Sequence, residues 1–169
     1  MSKAKFAIIL TIFMMVTFAI GVVLANVFPR PIEQPIKFNH KLHMDPAGAG
    51  MKCIDCHKYY LTQRNSGRPG IEVCKSCHDD GQGNPEKLKL QAFADKDQEI
   101  PWNRIYYLKD FVRYPHLRHT DKIKCEVCHG PMGEQTQPPG ARLVAHSMSF
   151  CIDCHKKNNA TVECLSCHK

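Results

Sequence analysis

The longest apolar stretch of the chain lies near its start, where the positions from Phe6 to Phe28 include no charged residue. These 23 residues are enough to cross the roughly 30 Å hydrocarbon layer of a membrane as a helix. Lys3 and Lys5 precede the stretch, and basic residues favour the cytoplasmic side. The pattern predicts a single N-terminal transmembrane anchor over residues 1–29, with the rest of the chain outside the cytoplasm.

A cleaved signal peptide is the alternative interpretation of this segment, because Val23-Leu24-Ala25 has the form of a small-residue cleavage site. The apolar run is longer than the about 7–15 residues usual in a signal peptide, which favours a retained anchor. The span contains no ionisable residue. Since an intramembrane polar group is the usual marker of a functional site in a membrane, nothing in the span itself indicates a quinone site.

Beyond the apolar stretch, the chain repeats the pattern Cys-x-x-Cys-His five times and uses all its cysteines in doing so. The five copies are Cys53-Cys56-His57, Cys74-Cys77-His78, Cys125-Cys128-His129, Cys151-Cys154-His155 and Cys164-Cys167-His168. This is the attachment signature of c-type haem. Two thiols bind the two vinyl groups of the porphyrin, and the adjacent histidine reaches the iron. The motifs therefore predict five covalently bound haem c groups.

Zinc knuckles and disulfides are the competing interpretations of these cysteines. Two Cys-x-x-Cys pairs can form a tetrahedral zinc site, but knuckles pair and five is an odd number. Neither zinc nor a disulfide framework requires a histidine directly after every second cysteine. The haem interpretation accounts for both features.

The remaining histidines match the haems in number. Five lie outside the motifs: His40, His43, His116, His119 and His146. They predict a second, distal histidine ligand for each of the five irons. Four methionines near the motifs are the alternative distal ligands: Met44, Met51, Met132 and Met148.

The two pairs His40/His43 and His116/His119 have a spacing of three residues. Two side chains three apart on one helical turn lie on the same side of the helix. Each histidine of a pair can then reach a different iron, so that one turn of backbone holds two haems close together. Close haems exchange electrons rapidly, which indicates a chain of electron carriers.

About 140 residues follow the anchor, which is roughly 28 per haem and too few for an ordinary apolar core around each one. The macrocycles must supply most of the buried apolar surface. We expect a mostly irregular fold with short α-helices at the haem motifs and almost no sheet.

The soluble part contains an internal repeat. Phe38-x-His40 and Tyr114-x-His116 begin the two copies, and their histidines are offset by 76 residues. Each copy continues with two haem motifs, and the second adds His146 and a third motif. We predict a dihaem module over residues 30–84, a linker over 85–113 and a trihaem module over 114–169. Within the linker, residues 86–93 are expected to form two helical turns.

The formal charge of +7 favours an anionic partner only weakly. Each haem brings two propionates, so that five haems offset the positive charge of the polypeptide. No basic stretch is interleaved with stacking aromatic residues, and nucleic acid is excluded as a partner on both grounds.

From His116 onward the chain resembles the small trihaem class III cytochromes c, through Tyr114-Pro115-His116-Leu117-Arg118-His119, Ala145-His146 and the terminal Cys164 motif. The resemblance implies that His116 serves the haem at Cys125/Cys128, His119 the haem at Cys151/Cys154 and His146 the haem at Cys164/Cys167. By the repeat, His40 would serve the haem at Cys53/Cys56 and His43 the haem at Cys74/Cys77.

Over its whole length the chain is similar to the membrane-anchored pentahaem cytochrome subunit of alternative complex III and of menaquinone reductase complexes. The shared marks are the single N-terminal span, the segment from Gln34 to His43, and Ile100-Pro101-Trp102 leading into Tyr114-Pro115-His116. The resemblance implies a subunit in the bacterial inner membrane. Its partners would be a quinone-binding integral membrane subunit, an iron–sulfur subunit and periplasmic electron carriers.

Histidine on both faces of an iron leaves no position for a substrate, which predicts an electron-transfer subunit without a catalytic centre. The alternative is a stand-alone membrane-anchored quinol dehydrogenase that feeds a periplasmic reductase. Such an enzyme would need a haem with an open or unusual ligand near the anchor, and the His40/His43 element argues against it. A multihaem nitrite reductase is disfavoured because all five motifs keep their histidine.

Overall fold

The computed structural model describes residues 2–27, 31–79 and 83–168. Several sequence predictions fall partly outside these ranges. They concern Met1, Phe28 and Pro29 of the predicted anchor, Arg30 and residues 80–82 of the first module, and Lys169 at the end of the second.

Within the described ranges the secondary structure is helical, and most of the helices are a single turn long. The α-helices are α1 (Lys3–Val27), α2 (His40–Met44), α3 (Cys53–Cys56), α4 (Ile71–Lys75), α5 (Pro85–Ala94), α6 (His116–Thr120), α7 (Cys125–His129), α8 (Met148–Lys157) and α9 (Cys164–Cys167). A 3₁₀ turn covers Met132–Glu134. The β-structure of these ranges is one isolated bridge between Val112 and His168. The expected mixture of short helices and irregular backbone is confirmed.

The chain divides into two compact units, Met1–Pro31 and Ile32–Lys169. The first unit contains α1, which is long and apolar enough to cross a membrane over Lys3–Ala25, with a mean hydropathy of 2.7. The second unit contains all the haem motifs. The predicted subdivision into modules 30–84 and 114–169 with a linker at 85–113 lies within this one unit and stays a prediction.

Side chains at the helix starts explain why such short helices form. The Asn39 side chain accepts a hydrogen bond from the Leu42 N–H, 2.9 Å away, at the start of α2. The Ser147 hydroxyl accepts from the Phe150 N–H in the same way at the start of α8. Such caps satisfy amide groups that have no partner within the helix. The first turn is thereby closed at the point where the histidine or cysteine side chains are needed.

Helix α5 confirms the two helical turns predicted for the linker. Asn84 caps it by accepting from the amides of Glu86 and Lys87, and Pro85 occupies the first turn, where its missing N–H costs nothing. Helix α5 packs against α4, which carries the second haem motif. The linker is therefore a structural support for that motif.

The apolar core of the soluble unit is very small. The buried hydrophobic side chains of the described residues are Ile36, Ile71, Leu90 and Ile100, and Cys74 and Trp102 pack against them. No side chain in these ranges is fully enclosed. This core positions the α4 helix and leaves the rest of the unit without an apolar centre, as expected for a fold built around haem.

A second contact joins distant parts of the sequence. Helix α2 packs against the 3₁₀ turn, where the Lys41 N–H donates to the Gln135 carbonyl oxygen at 3.0 Å. A Cβ atom on Gly133 would lie 3.3 Å from the methyl carbon of Met44, which shows how closely the two elements approach. The contact places the first histidine pair beside the second half of the unit.

Candidate haem-binding sites

The thiols of the five motifs are available for attachment. All ten cysteines are free of disulfide bonds, and all are partly or fully exposed. Helices α3, α7 and α9 each begin at the first cysteine of a motif. Residues three apart in a helix share one face, so each helical turn presents both thiols to the same side.

The two aromatic–x-His–x–x-His elements have the same geometry. The Phe38 ring stacks on His43 with centroids 4.3 Å apart, and it meets His40 edge-on at 4.8 Å. The Tyr114 ring stacks on His119 at 4.4 Å, and it meets His116 edge-on at 5.0 Å. The aromatic residue fixes the orientation of both imidazoles, which explains why it is part of the repeat.

Backbone carbonyl groups fix the second ring nitrogen of these histidines. The Nδ1–H of His43 donates to the carbonyl oxygen of Asn39 at 2.8 Å, and that of His119 donates to Pro115 at 3.0 Å. This bond places the proton on Nδ1 and leaves the Nε2 lone pair free. Metal-binding histidines are typically held in this way.

In three more histidines, Nδ1 is held by a backbone carbonyl group in the same way. The Nδ1–H of His57 donates to Gly67 at 3.0 Å, and that of His116 donates to Arg64 at 2.8 Å. The Nδ1–H of His155 donates to the carbonyl of Thr161. Both motif histidines and distal histidines thus present Nε2 for coordination.

Three pairs, each of a distal histidine and the motif histidine expected to share its iron, lie at the separation that an iron between them would need. A metal–imidazole bond is about 2 Å long and the ring centre lies about 1 Å beyond the nitrogen, so two rings on opposite faces of one iron have centroids about 6 Å apart. The observed centroid distances are 6.0 Å for His43–His78, 6.5 Å for His116–His129 and 6.2 Å for His119–His155. Each pair joins a distal histidine to the motif expected for it, from the resemblance for His116 and His119 and from the repeat for His43.

His40 has its predicted partner in its surroundings. Burial lowers the pKa of His40 to about 4, and the charges of His57 and His43 contribute further. Burial also lowers the pKa of His129 to about 4, with contributions from His146 and His116. Both imidazoles are therefore neutral near pH 7, which is the form that binds a metal. The buried Nδ1 of His40 has no hydrogen-bond partner among the described residues.

His146 is placed differently from the implied assignment. Its Nε2–H donates to the carbonyl oxygen of Cys128 at 2.7 Å, and its ring lies 6.1 Å from His129 and 5.4 Å from Tyr106. His168 instead has the Phe111 ring at 5.8 Å. The structure thus does not bring His146 together with His168, and the pairing of His146 with the fifth motif stays a prediction.

Two of the four methionines considered as alternative ligands pack elsewhere or are exposed. Met44 packs against the 3₁₀ turn at Gly133. The Met148 side chain, the first residue of α8, is 65% exposed. The histidines, in contrast, are gathered in pairs.

Pairs of ligands are what a haem iron requires, because the porphyrin occupies four of its six positions, whereas zinc takes four protein ligands. Within residues 2–27, 31–79 and 83–168, no group of three or more His, Cys, Asp or Glu side chains converges as a metal site. The donor set therefore fits haem.

The cysteine thiols show which motifs are neighbours in space. Burial raises the pKa of the Cys53 thiol, and the adjacent Cys125 thiol raises it further. Burial also raises the pKa of Cys74, with Cys56 as the next cause. Thiols of both the second and the third motif are therefore near the first motif.

The remaining motifs continue the series. Burial raises the pKa of the Cys128 thiol, followed by the effects of Cys154 and Cys151. Burial raises the pKa of Cys151, followed by the effect of Cys167. The third motif is therefore near the fourth, and the fourth is near the fifth.

Gly130, which follows the third motif, has a conformation and a contact that both require glycine. It is buried with φ = 71°, and a Cβ there would lie 2.9 Å from the Cβ of Leu143. Gly130→Ala is expected to lower the free energy of unfolding by roughly 2–4 kcal/mol, through both backbone strain and steric overlap. The thermal midpoint should fall accordingly. Thermal unfolding of the haem-loaded protein measures it.

Gly70→Ala is the matched control for this substitution, because Gly70 has φ = −69° and its nearest atoms belong to the flexible side chain of Glu99. A midpoint lowered equally by both variants would contradict the special requirement at Gly130.

Comparison with known proteins gives two findings. Residues 21–101 match the family model of the class III cytochrome c family. This range covers the first two haem motifs, whereas the trihaem resemblance in the sequence lies from His116 onward. The chain is also 28% identical over 188 aligned residues to the menaquinone reductase, multihaem cytochrome c subunit, of Nitratidesulfovibrio vulgaris strain Hildenborough. That alignment covers 90% of this chain and 89% of the relative.

These findings agree with the geometry of the sites. The chain has the class III multihaem cytochrome fold and carries covalently bound haem c. Its function is electron transport.

Proposed function

We propose that this chain is a pentahaem electron-transfer subunit that links a quinone-reacting membrane complex to periplasmic redox partners. Five complete attachment motifs support the haem number. The relative from Nitratidesulfovibrio vulgaris, a subunit of a menaquinone reductase, aligns over nearly the whole chain and supports the connection with quinone chemistry.

The observation that carries the proposal is the set of histidine pairs about 6 Å apart. In this proposal His43 and His78, His116 and His129, and His119 and His155 occupy both faces of their irons, and His40 and His57 do the same at the first motif. When both axial positions are filled, a haem supplies one-electron transfer and binds no substrate. The chain itself contributes the ring orientation, through Phe38 and Tyr114, and the protonation state, through the carbonyl groups that hold Nδ1.

The spatial order of the motifs supports a continuous path for electrons. The side-chain hydrogen bond between Cys53 and Cys125 joins motifs from the two halves of the repeat, and the Cys56 and Cys74 thiols are near each other within the first half. An electron that enters at either end of the series would have a neighbouring carrier at every stage.

The membrane attachment is proposed from α1. Its Lys3–Ala25 span has no charged residue from Phe6 onward, and the lysines at its start favour a cytoplasmic N-terminus. The haem unit would then lie on the periplasmic side of the bacterial inner membrane. There it would contact a quinone-binding integral membrane subunit, an iron–sulfur subunit and periplasmic electron carriers.

A native gel of membranes solubilised in mild detergent tests the assignment to a complex. After haem staining, mass spectrometry identifies the proteins in each stained band. We expect this chain in a band of several hundred kilodaltons that also contains a quinone-binding membrane subunit. A band near the mass of the haem-loaded chain alone would favour the stand-alone quinol dehydrogenase instead. The intact mass of the isolated chain, compared with the 19.2 kDa polypeptide, counts the haems.

A further inference from the structure

A cavity of about 220 Å³ surrounds the imidazole pair of the third motif. His116 and His129 both line it, with their ring planes only 9° apart, and Cys128 lies beside them. Two arginines, Arg64 and Arg104, line the same cavity. Positive charge is therefore concentrated around one particular haem site.

Both guanidinium groups are held by groups other than carboxylates. Arg64 donates from Nη2 to the carbonyl oxygen of Val112 at 2.5 Å. Arg104 donates from Nε to the carbonyl oxygen of Tyr106 at 3.0 Å and from Nη2 to the side-chain oxygen of Asn65 at 3.5 Å. A guanidinium has five N–H donors, so each arginine has donors left for another acceptor.

Neither guanidinium group forms an ion pair within the described part of the chain. The ion pairs there are Lys75–Glu72 and Lys89–Glu86. Asp110 also lines the cavity but forms an ion pair with neither arginine. Two unpaired guanidinium groups beside one cavity suit a ligand that brings two carboxylates, because arginine binds carboxylates through two parallel hydrogen bonds.

We propose that Arg64 and Arg104 bind the propionates of the haem attached at Cys125 and Cys128. This inference rests on the proposed function, since it assumes haem at the third motif. It identifies positioning residues that come from outside the second copy of the repeat. Arg64 lies between the first and second motifs, and Arg104 lies in the predicted linker.

Arg64 would hold this haem in two ways. Its backbone carbonyl accepts the Nδ1–H of His116 at 2.8 Å, and its side chain would hold a propionate. Axial ligand and propionate of the third haem would then both depend on one residue of the first half. The third haem would thus be held by residues from both halves of the repeat.

The proposal predicts a change in reduction potential. A nearby positive charge favours the reduced haem, which carries one positive charge less than the oxidised haem. Arg104→Gln is expected to shift the one-electron reduction equilibrium of one haem about tenfold towards the oxidised form, which corresponds to about 59 mV. Arg104→Lys keeps the charge and should restore most of the potential, although it lacks the planar fork.

The experiment is an optical redox titration of the full-length, haem-loaded protein in detergent. Arg64→Gln should shift the same haem, and its low-spin spectrum should be retained because the variant keeps the backbone carbonyl that holds His116. Arg68→Gln is the matched control: Arg68 also donates to a backbone carbonyl, that of Trp102, but lies outside the cavity lining.

Two results overturn the proposal in distinguishable ways. Unchanged potentials in Arg104→Gln and Arg64→Gln, with haem present on the Cys125–Cys128 peptide, would exclude the propionate contacts and leave the proposed function intact. An equal shift in Arg68→Gln would show a general charge effect and would also overturn the assignment. Absence of haem from that peptide in the unmodified protein would contradict both the inference and the pentahaem function.

Discussion

Without covalently attached haem, the unit from Ile32 to Lys169 is expected to lose its folded structure. Its apolar core is limited to Ile36, Ile71, Leu90 and Ile100 among the described residues. Four side chains cannot offset the conformational entropy lost in ordering a unit of this length. In the proposed function, haem would supply the missing apolar surface and tie the Cys-x-x-Cys turns to their distal histidines.

The test is production of the full-length chain in cells with and without the haem attachment machinery. In detergent, circular dichroism should show the haem-free chain with little helix beyond α1. Limited proteolysis should degrade its soluble unit rapidly, while the haem-loaded chain resists. Helix α1 is an internal control, because it belongs to a separate compact unit and its helicity does not depend on haem. A protease-resistant haem-free unit would contradict the prediction.

Much of this fold could be predicted because it follows from local sequence. The anchor is one continuous apolar run, and α5 follows an Asn-Pro start at Asn84. Helices α2 and α6 begin at the first histidine of each pair, as the three-residue spacing predicts. The small core follows from chain length and motif number. In each case, the information lies within one turn or one segment of the chain.

The support of the third site could not be predicted in this way. Arg64 and His116 are 52 residues apart, and no periodic pattern connects them. The Arg64 contribution is a backbone carbonyl, which every residue type provides, so the sequence carries no signal for it. The side-chain charge of Arg64 is visible in the sequence, but its position beside the third motif depends on how the two halves pack.

The position of His146 could not be predicted from the sequence either. It lies in irregular backbone between the 3₁₀ turn and α8, where no helical spacing fixes the direction of a side chain. The local conformation is set by a distant group, since the Leu143 N–H donates to the Tyr106 hydroxyl at 2.9 Å. The same hydroxyl donates to the carbonyl oxygen of His129. Tyr106 thereby keeps this segment beside the third motif.

His119→Ala is expected to convert one of the five proposed haems, that at Cys151 and Cys154, from low-spin to high-spin. The His119 ring lies 6.2 Å from His155, with Nδ1 held by Pro115 and Nε2 free. Removal of the imidazole leaves the iron with one axial protein ligand. Optical and electron paramagnetic resonance spectra of the oxidised full-length protein measure the change, which should amount to about one fifth of the low-spin signal.

Added imidazole gives this prediction a positive test, because it should enter the space left by His119 and restore the low-spin spectrum. Leu117→Ala is the matched control on the same helix. The Leu117 side chain is 52% exposed and carries no ligand atom, so the spectrum of this variant should stay low-spin.

The equivalent variant in the first copy, His43→Ala, should open the haem at Cys74 and Cys77 in the same way, since His43 lies 6.0 Å from His78. A wholly low-spin spectrum of His119→Ala without imidazole would refute the ligand assignment at the fourth motif. The open iron in this variant would also bind small molecules such as carbon monoxide. In the proposed function, it is the filling of both axial positions that would limit the unmodified chain to electron transfer.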